Sequence, residues 1–321
     1  MATALITGIT GQDGGFLAER LLAEGASVHG LVHAGDPHAA DLLRRCPDVV
    51  LHDGDLTDEA SLATVMAAAS PDEVFNLAGI SSVAFSWERP VLTADVTALG
   101  AARLLEQAWQ LQERRGTPVR FVQASSAEIF GDAEVSPQNE TTPVRPISPY
   151  GAAKAFSHQL VGVYRHRGLH AVSAILYNHE SPRRPATFVT RKITRTAARI
   201  AQGLETELVL GNLDARRDWG WAPDYVDAML RAARHTCAGD YVVATGEAHS
   251  VREFVAAAFA RAGVTDWEDR VRIDQAFVRP VDAVQQVGDA TRARTELGWS
   301  PTVAFDELVG RMVDADLALP T

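Results

Sequence analysis

The sequence predicts an α/β protein in which a doubly wound parallel sheet is joined to a smaller α/β lobe. Strand and helix patterns alternate from residue 4 to residue 177, and this alternation is typical of βαβ units with right-handed crossovers. The chain has 321 residues, of which 46% are hydrophobic and 22% are charged. That composition is ordinary for a globular protein, and the length suits one large unit with an appended lobe.

The spacing of apolar residues predicts each element. Short apolar runs predict strands over residues 4–7, 28–32, 49–51, 73–77, 120–123 and 171–177. Apolar stripes at helical spacing predict helices over residues 15–23, 61–69, 93–112, 150–167 and 191–202. Four prolines between residues 136 and 150 predict an extended loop, because proline is excluded from helix interiors.

The character of the sequence changes after Ser181. An Arg-rich helix pattern, a polar loop over residues 211–217 and shorter elements follow. No linker rich in proline and glycine precedes them, so we expect the second lobe to be interwoven with the first unit. We predict a first unit from residues 1–178 and approximately 221–248, and a second lobe from residues 179–220 and 249–321.

Charge and cysteine usage exclude several classes of protein. The formal net charge of −11 argues against nucleic-acid binding, and no apolar run is long enough for a membrane span. Cys46 and Cys237 form neither a disulfide framework nor a metal-ligand spacing, so we expect no metal. The first strand begins too early to leave room for a signal peptide, which favours a reducing cytoplasm.

A glycine-rich turn follows the first strand directly. The stretch T-G-I-T-G-Q-D-G places Gly8, Gly11 and Gly14 three residues apart. Glycine allows a tight turn and a close approach of the backbone to a pyrophosphate, and the next helix offers free N–H groups at its N-terminus. With a strand before it and an amphipathic helix after it, the turn predicts a Rossmann-like dinucleotide site.

Two further segments follow strands of the same predicted sheet. Asp55 and Leu56 follow the third strand, where they suit contact with an adenine edge. Leu77, Ala78 and Gly79 lie at the end of the next strand, where small residues let the backbone pass beneath a cofactor. Ligands of open α/β sheets bind at the carboxyl ends of strands, so we expect these segments to line one site.

The strongest candidate catalytic group combines Ser126, Glu128, Tyr150 and Lys154. Tyr150 and Lys154 are four residues apart on one predicted helix and therefore share a face. A nearby ammonium favours the phenolate, and lowering the tyrosine pKa by ~3, worth ~4 kcal/mol, would suit a general base. Of 30 basic residues only Lys154 and Lys192 are lysines, which suggests that a compact ammonium is required at these two positions.

Ser126 and Glu128 follow the predicted strand over residues 120–123. A serine hydroxyl can hydrogen-bond an alcohol that is being oxidised. Simple alcohol oxidation needs no additional carboxylate, so Glu128 suggests proton abstraction at the neighbouring carbon.

Eight stretches along the chain extend this interpretation: T-G-I-T-G-Q-D-G, G-D-L-T-D, Y-G-A-A-K, N-H-E-S-P-R-R, F-V-T-R-K-I-T, L-G-N-L-D-A-R-R-D-W-G, A-T-G-E-A-H-S-V-R-E-F and L-G-W. Together they closely resemble the GDP-mannose 4,6-dehydratase family of the extended short-chain dehydrogenase/reductases. The resemblance runs almost end to end. It implies a Rossmann-type domain that binds NADP and a smaller lobe that holds GDP-mannose.

The resemblance also implies a reaction, the dehydration of the sugar by a lyase. Tyr150, assisted by Lys154, takes the proton of the sugar 4-hydroxyl while a hydride passes to the nicotinamide. Glu128 removes the hydrogen on carbon 5, water leaves from carbon 6, and the hydride returns to carbon 6. Ser126 stands where the family usually has threonine.

The resemblance assigns further residues to the two ligands. The implied cofactor contacts beyond those already named are Thr10, Gln12, Asp13, His33, Ser81, His179 and Arg184. The implied substrate contacts are Ser82, Asn178, Val189, Lys192, Arg217, Arg279 and Asp282.

The chain departs from the family after the second strand. The family has an Arg-Arg-Ser-Ser stretch there, which holds the 2′-phosphate of NADP and helps to build tetramers. This chain has His-Ala-Gly-Asp at residues 33–36 instead. NAD is therefore an alternative to NADP, and a homodimer is favoured over a tetramer. Ala127 replaces a family serine, and the residues at 80–82 and Asp282 differ on the substrate side.

Two alternative functions follow from these departures. A nucleotide-sugar epimerase needs the same tyrosine and lysine but returns the hydride to carbon 4 or reprotonates carbon 5. A non-catalytic dinucleotide sensor would keep the fold and lose the chemistry, although the intact Tyr150, Lys154 and Glu128 argue against it.

Overall fold

The computed structural model describes residues 2–277 and 281–319. Its strands are β1 Thr3–Thr7, β2 Ser27–Val32, β3 Val50–Asp53, β4 Glu73–Asn76, β5 Arg120–Ser126, β6 His170–Leu176, β7 Asn178–Glu180, β8 Leu208–Leu210, β9 Arg216–Trp221, β10 Asp240–Val243, β11 Ala248–Ser250, β12 Val271–Ile273 and β13 Gln285–Gln286. Its α-helices are α1 Gln12–Ala23, α2 Ala39–Arg45, α3 Glu59–Ala69, α4 Val83–Glu88, α5 Pro90–Thr93, α6 Gly100–Arg115, α7 Pro149–His166, α8 Val189–Ala201, α9 Ala222–Arg234, α10 Val251–Ala262, α11 Thr291–Leu297 and α12 Phe305–Leu317.

A parallel sheet of seven strands forms the centre of the molecule. Its order is β10-β6-β5-β4-β1-β2-β3, and every neighbouring pair is parallel. The chain winds outward in one direction from β1 to β3 and in the other from β4 to β10, so the winding direction changes between β1 and β4. The predicted doubly wound α/β sheet is confirmed, and ligands of such sheets bind at this change of direction.

Both faces of the sheet are buried. Successive residues of a strand point to opposite faces, and Leu5 and Phe121 belong to one apolar cluster whereas Ile6 and Val122 belong to another. All four are at most 1% exposed. Such near-continuous apolar strands are expected of a parallel sheet covered by helices on both sides.

Smaller sheets and a third apolar cluster form the rest of the fold. Strand β9 pairs in parallel with β7 and β13 and antiparallel with β11, while β12 pairs with β8. Helices α8, α10 and α12 pack around Ile193, Phe254 and Met312. No helix among residues 2–277 and 281–319 is long and apolar enough to cross a membrane.

Several element boundaries differ from the sequence predictions. The helix predicted over residues 93–112 is divided: α5 ends at Thr93, a π-helical segment covers Ala94–Leu99, and α6 begins at Gly100. A Cβ atom on Gly100 would lie 2.8 Å from the Cβ of Leu56, so the close contact with the chain after β3 requires glycine there. Helices α2 and α4, neither longer than seven residues, were not predicted. The expectation of shorter elements after residue 217 is wrong for α9, α10 and α12, which have 12 or 13 residues each. The polar loop predicted over residues 211–217 ends in the first two residues of β9.

Candidate active site

The glycine turn between β1 and α1 is tightly packed. Gly8 has φ +69°, and a Cβ there would lie 2.9 Å from the backbone nitrogen of Ala78 after β4. A Cβ on Gly14 would lie 2.3 Å from the Gly8 carbonyl oxygen. Gly11 is the N-cap of α1 and has no side-chain cap. The N–H groups of the first turn of α1 therefore suit the pyrophosphate of a dinucleotide, which fits this end of the site.

Two side chains, one of this turn and one of α1, are held by the protein itself. Thr10 Oγ1 donates a hydrogen bond to Asp36 Oδ2 at 2.9 Å. Gln12 Nε2 donates to the His179 carbonyl oxygen at 3.2 Å, and Gln12 Oε1 accepts from Ser181 Oγ at 2.8 Å. The side chain of Gln12 therefore ties α1 to the segment after β6, while its backbone N–H remains at the helix N-terminus.

Asp13 and His179 form an ion pair at the edge of the cleft. The Asp13 Oδ2 and His179 Nε2 atoms are 2.8 Å apart, and His179 Nδ1 lies 2.7 Å from the Tyr177 carbonyl oxygen. Because both ring nitrogens face acceptors, the imidazolium form satisfies both contacts. Burial disfavours the charged ring, but the charge of Asp13 and its hydrogen bond raise the pKa of His179 above 6.5.

The predicted adenosine-side residues lie at the ends of β2 to β4. His33 Nδ1 is 3.5 Å from Asp55 Oδ2, and Asp55 Oδ1 accepts two hydrogen bonds from Thr57. The Leu56 side chain is buried in the core, so only its backbone can reach a ligand. Gly79 has φ +156°, a value that favours glycine.

A cleft of about 380 Å³ opens along the carboxyl edge of the central sheet and continues to β9 and β13. Fifteen of the predicted site residues line it: Asp13, Leu77, Ser81, Ser82, Ser126, Glu128, Tyr150, Lys154, Asn178, His179, Arg184, Val189, Lys192, Arg217 and Asp282. The remaining predicted cofactor residues, Gly8, Thr10, Gly11, Gln12, Gly14, His33, Asp55, Leu56, Ala78 and Gly79, lie outside its lining. Arg279 lies outside the described residues.

Ser126, Glu128 and Tyr150 meet at one wall of this cleft. Ser126 ends β5, and its Oγ accepts a hydrogen bond from Glu128 N at 3.2 Å and caps the short 3₁₀ turn Ala127–Ile129. Ser148 and Pro149 start α7, which places Tyr150 in the first turn. Ser126 hydrogen-bonds Tyr150, and the Glu128 charge acts on the phenol. The predicted grouping of these side chains is therefore present.

The predicted lowering of the tyrosine pKa is wrong for this structure. Burial raises the pKa of Tyr150 to about 12, and Glu128 adds to the rise while the Ser126 hydrogen bond opposes it. The Lys154 Nζ atom is 5.9 Å from the centroid of the Tyr150 ring. Spacing along a helix gives proximity to an ammonium, but the desolvation of the phenol depends on tertiary packing and outweighs that proximity.

Lys154 is buried one turn after Tyr150. Its Nζ donates to the Ala124 carbonyl oxygen at 2.7 Å, and the same oxygen accepts from Gln123 Nε2 at 3.0 Å. Burial lowers the pKa of Lys154 to about 8, and the charge of Asp13 partly opposes this change. An ammonium with this pKa can lose and regain its proton near neutral pH, a range suited to proton transfer.

The cationic side chains Arg184, Lys192 and Arg217 of the cleft already have partners. Arg217 donates to Asp282 Oδ1 at 2.6 Å and to the Ala283 carbonyl oxygen at 2.9 Å. Arg184 lies 3.3 Å from Glu180 and stacks on the Phe188 ring at 3.8 Å. Lys192 Nζ is 4.0 Å from the centroid of the Phe277 ring. A bound diphosphate would have to share Arg217 with Asp282.

Ser82 has a local structural role besides its place at the cleft, because its Oγ accepts from Phe85 N and caps α4. The cleft lining also contains polar residues that were not predicted as site residues, among them Ser125, Glu180 and Gln286. Ser125 Oγ is buried without a hydrogen-bond partner in the described part of the chain. The Ser125 hydroxyl could therefore hydrogen-bond a ligand at the end of β5. The sequence feature that could have identified Ser125 is its position directly before Ser126.

The family model for GDP-mannose 4,6 dehydratase matches residues 5–312. The chain belongs to the GDP-mannose 4,6-dehydratase family. It is 47% identical to GDP-mannose 4,6 dehydratase 1 of Arabidopsis thaliana over 98% of this chain and 90% of that protein. It is 44% identical to the human GDP-mannose 4,6 dehydratase, with 98% of this chain and 91% of that protein covered.

Solved structures of related enzymes share the fold. The UDP-glucose 4-epimerase of Thermus thermophilus, solved with NAD, has a TM-score of 0.85 at 30% identity over 98% of this chain and 99% of that one. RMD from Pseudomonas aeruginosa, solved with NADPH, has a TM-score of 0.80 at 25% identity, covering 98% and 99%. Both carry a nicotinamide cofactor, in line with the dinucleotide site predicted here.

Proposed function

We propose that the chain is a nucleotide-sugar 4,6-dehydratase that converts GDP-mannose to GDP-4-keto-6-deoxymannose. Family membership and the grouping of Ser126, Glu128, Tyr150 and Lys154 on one wall of the cleft support this function. The grouping is the observation that carries the proposal, because it combines an alcohol-oxidising pair with a separate carboxylate.

Each residue has a defined task in this reaction. Tyr150 accepts the proton of the sugar 4-hydroxyl, and Ser126 orients that hydroxyl and the phenol. Because burial keeps the free Tyr150 protonated, the phenol must ionise before it can accept this proton, and Lys154 is the cation proposed to stabilise its phenolate. Glu128 removes the proton on carbon 5, which the new 4-ketone acidifies, and passes it to the hydroxyl that leaves carbon 6 as water. Tyr150 then returns the proton of the 4-hydroxyl to carbon 5. The glycine turn and the cleft would hold a nicotinamide cofactor, which would supply the uptake of a hydride from carbon 4 and its return to carbon 6.

Mass spectrometry of the product tests this proposal. Incubation with GDP-mannose should give a product lighter by one water, without net consumption of cofactor. The Glu128→Gln variant should oxidise carbon 4 and stop before elimination, whereas Glu134→Gln, which changes an exposed carboxylate outside the cleft, should turn over normally. An unchanged sugar in the presence of bound cofactor contradicts the proposal. In deuterated water, label without loss of water would indicate an epimerase.

The contacts of Asp36 favour NAD over the NADP of the family. Asp36 accepts from Thr10 Oγ1 at 2.9 Å and from His38 N at 2.8 Å, so its carboxylate lies beside the glycine turn. An acidic residue about 20 positions after this turn hydrogen-bonds the ribose 2′-hydroxyl of NAD in Rossmann folds. The same charge repels a 2′-phosphate.

Calorimetric binding of NAD⁺ and NADP⁺ tests this cofactor preference without any turnover. Wild-type protein should bind NAD⁺ more tightly than NADP⁺. Asp36→Asn should reduce this difference in affinity, mainly by improving NADP⁺ binding. Asp58→Asn, which removes an exposed helix cap away from the turn, is a matched control. Tighter binding of NADP⁺ to the wild-type protein contradicts the assignment.

The assembly, the domain limits and the compartment are further parts of this proposal. Large apolar side chains are exposed on α5, the π-helical segment and α7, namely Val91, Leu92, Leu99, Phe156 and Val163. Apolar patches of this kind mark interfaces, and a second copy of the chain is the proposed partner. Light scattering should give a dimer, and Val163→Asp should give monomers.

The domain limits and the compartment are also proposals. The separate apolar cluster around α8, α10 and α12 supports the lobe at 179–220 and 249–321. The two free cysteines suit a reducing cytoplasm.

A further inference from the structure

Strand β13 places an unpaired amide in the wall of the cleft. Gln286 is 1% exposed and lines the cleft. Neither its Nε2 nor its Oε1 atom has a hydrogen-bond partner among residues 2–277 and 281–319. An unpaired buried donor or acceptor costs about 1–3 kcal/mol, and such groups require a specific explanation.

A neighbouring glutamine shows that this part of the fold can satisfy a buried amide. Gln138 is also 1% exposed. Its Oε1 accepts from Tyr177 Oη at 2.9 Å and from Val287 N at 3.3 Å, and its Nε2 donates to the Val135 carbonyl oxygen at 3.4 Å. The protein thus supplies hydrogen-bond partners for the amide of Gln138, one of them from Val287, the residue next to Gln286. The amide of Gln286 has no such partners in the described ranges and is available to a ligand in the cleft.

Gln286 lines the same cleft as Arg217 of the proposed diphosphate side and Tyr150 of the catalytic wall. Its register partner across the parallel β13–β9 pair is Arg217, so the two side chains lie on the same face. Two residues further on, a Cβ on Gly288 would lie 2.7 Å from the ring of Tyr177, which joins β6 to Asn178 in the cleft lining. A nucleotide sugar with its diphosphate at Arg217 and its hexose at Tyr150 would occupy this cleft.

The chemistry of an amide narrows the ligand further. Phosphate oxygens only accept hydrogen bonds and would leave Oε1 unpaired, whereas a hydroxyl group both donates and accepts. We propose that Gln286 hydrogen-bonds hydroxyl groups of the hexose and thereby favours a nucleotide sugar over the free nucleoside diphosphate. This inference rests on the proposed function, which supplies the hexose.

The Gln286→Met variant tests the inference, because methionine has a similar length and no amide. Calorimetry should show GDP-mannose binding weakened about tenfold, as expected for the loss of one good hydrogen bond, with GDP binding unchanged. The urea midpoint of the free protein should stay equal or rise, since the variant removes an unpaired buried group. A residue with only a structural role would show neither the selective loss nor the preserved stability.

Gln138→Met is the matched control. It should lower the urea midpoint, because it leaves bonded groups unpaired, and it should keep the ratio of GDP-mannose to GDP affinity. If Gln286→Met does not fold, Gln286→Leu is measured in the same way, and misfolding of both contradicts the inference. Normal GDP-mannose binding by Gln286→Met overturns the inference and leaves the proposed function intact. A wild-type protein that binds GDP but no GDP-mannose contradicts the proposed function itself, and the inference with it.

Discussion

The ion pair between Asp13 and His179 makes a definite prediction about stability and pH. Asp13→Asn keeps the shape of the side chain and removes the charge opposite His179. The two side chains are 20% and 10% exposed, and removing one partner of a buried pair costs about 3–5 kcal/mol. Because asparagine can still hydrogen-bond a neutral imidazole, we expect the lower value, a loss of about 3 kcal/mol in the free energy of unfolding.

The sign of the pH dependence follows from the two pKa changes. Folding raises the pKa of His179 above 6.5, so its contribution is complete below that pH and is lost as the pH rises through the folded-state value. Burial opposes the ionisation of Asp13, but His179 holds the pKa of Asp13 below 3.8, so its contribution is lost only in acid. The difference in unfolding free energy between wild type and Asp13→Asn should therefore be largest between pH 3.8 and pH 6.5 and should shrink at higher pH.

Urea unfolding followed by tryptophan fluorescence at pH about 6 and pH about 9 measures this difference. Asp41→Asn, which changes an exposed carboxylate paired with Arg44, is the control and should cost less than about 1 kcal/mol at both pH values. Equal losses for Asp13→Asn at the two pH values, or a loss below about 1 kcal/mol at pH about 6, would refute the assignment of an imidazolium.

Three other predictions concern single sites. His29 Nδ1 and His52 Nε2 are 2.8 Å apart, and burial lowers the pKa of both rings, so unfolding free energy should fall as the pH drops below 6.5, a loss that His52→Phe should reduce in urea titrations at several pH values. Gly14→Ala puts a methyl group 2.3 Å from a backbone oxygen, so calorimetry should show a lower unfolding temperature and weaker NAD⁺ binding. The chain has two lysines, so carbon-13 NMR of labelled lysine should show two signals, of which that of Lys154 titrates at about 8 and persists when the other lysine is changed to arginine.

The sequence was sufficient for the features that depend on local pattern. The alternation of β1, α1 and β2 and the glycine turn between β1 and α1 were predicted with the correct last residue of each element and a first residue one to three positions late, because period and turn chemistry are local properties. Ser126 and Tyr150 were predicted to belong to one catalytic group, with Ser126 after a strand of the sheet and Tyr150 on the helix that carries Lys154. The position of Lys154 followed from helical spacing alone.

Properties that depend on desolvation and long-range pairing could not be predicted in this way. The pKa of Tyr150 is raised because the fold buries the phenol, and the sequence does not state how deeply. Arg217 was expected to face a diphosphate, yet its guanidinium is held by Asp282, 65 residues away. Gln286 carries no recognisable motif, and its isolation is visible only once its neighbours are known.

The junctions between the sheets also bear on protein engineering. Tyr177 alone separates β6 from β7, and β9 passes into α9 without an intervening residue. A recombinant hybrid that exchanged the sugar-binding portion with that of another enzyme would need several splice points, each within a continuous hydrogen-bonded segment. New sugar preferences in this scaffold should therefore come from point substitutions on β7, β9 and β13 and not from the transplantation of a module.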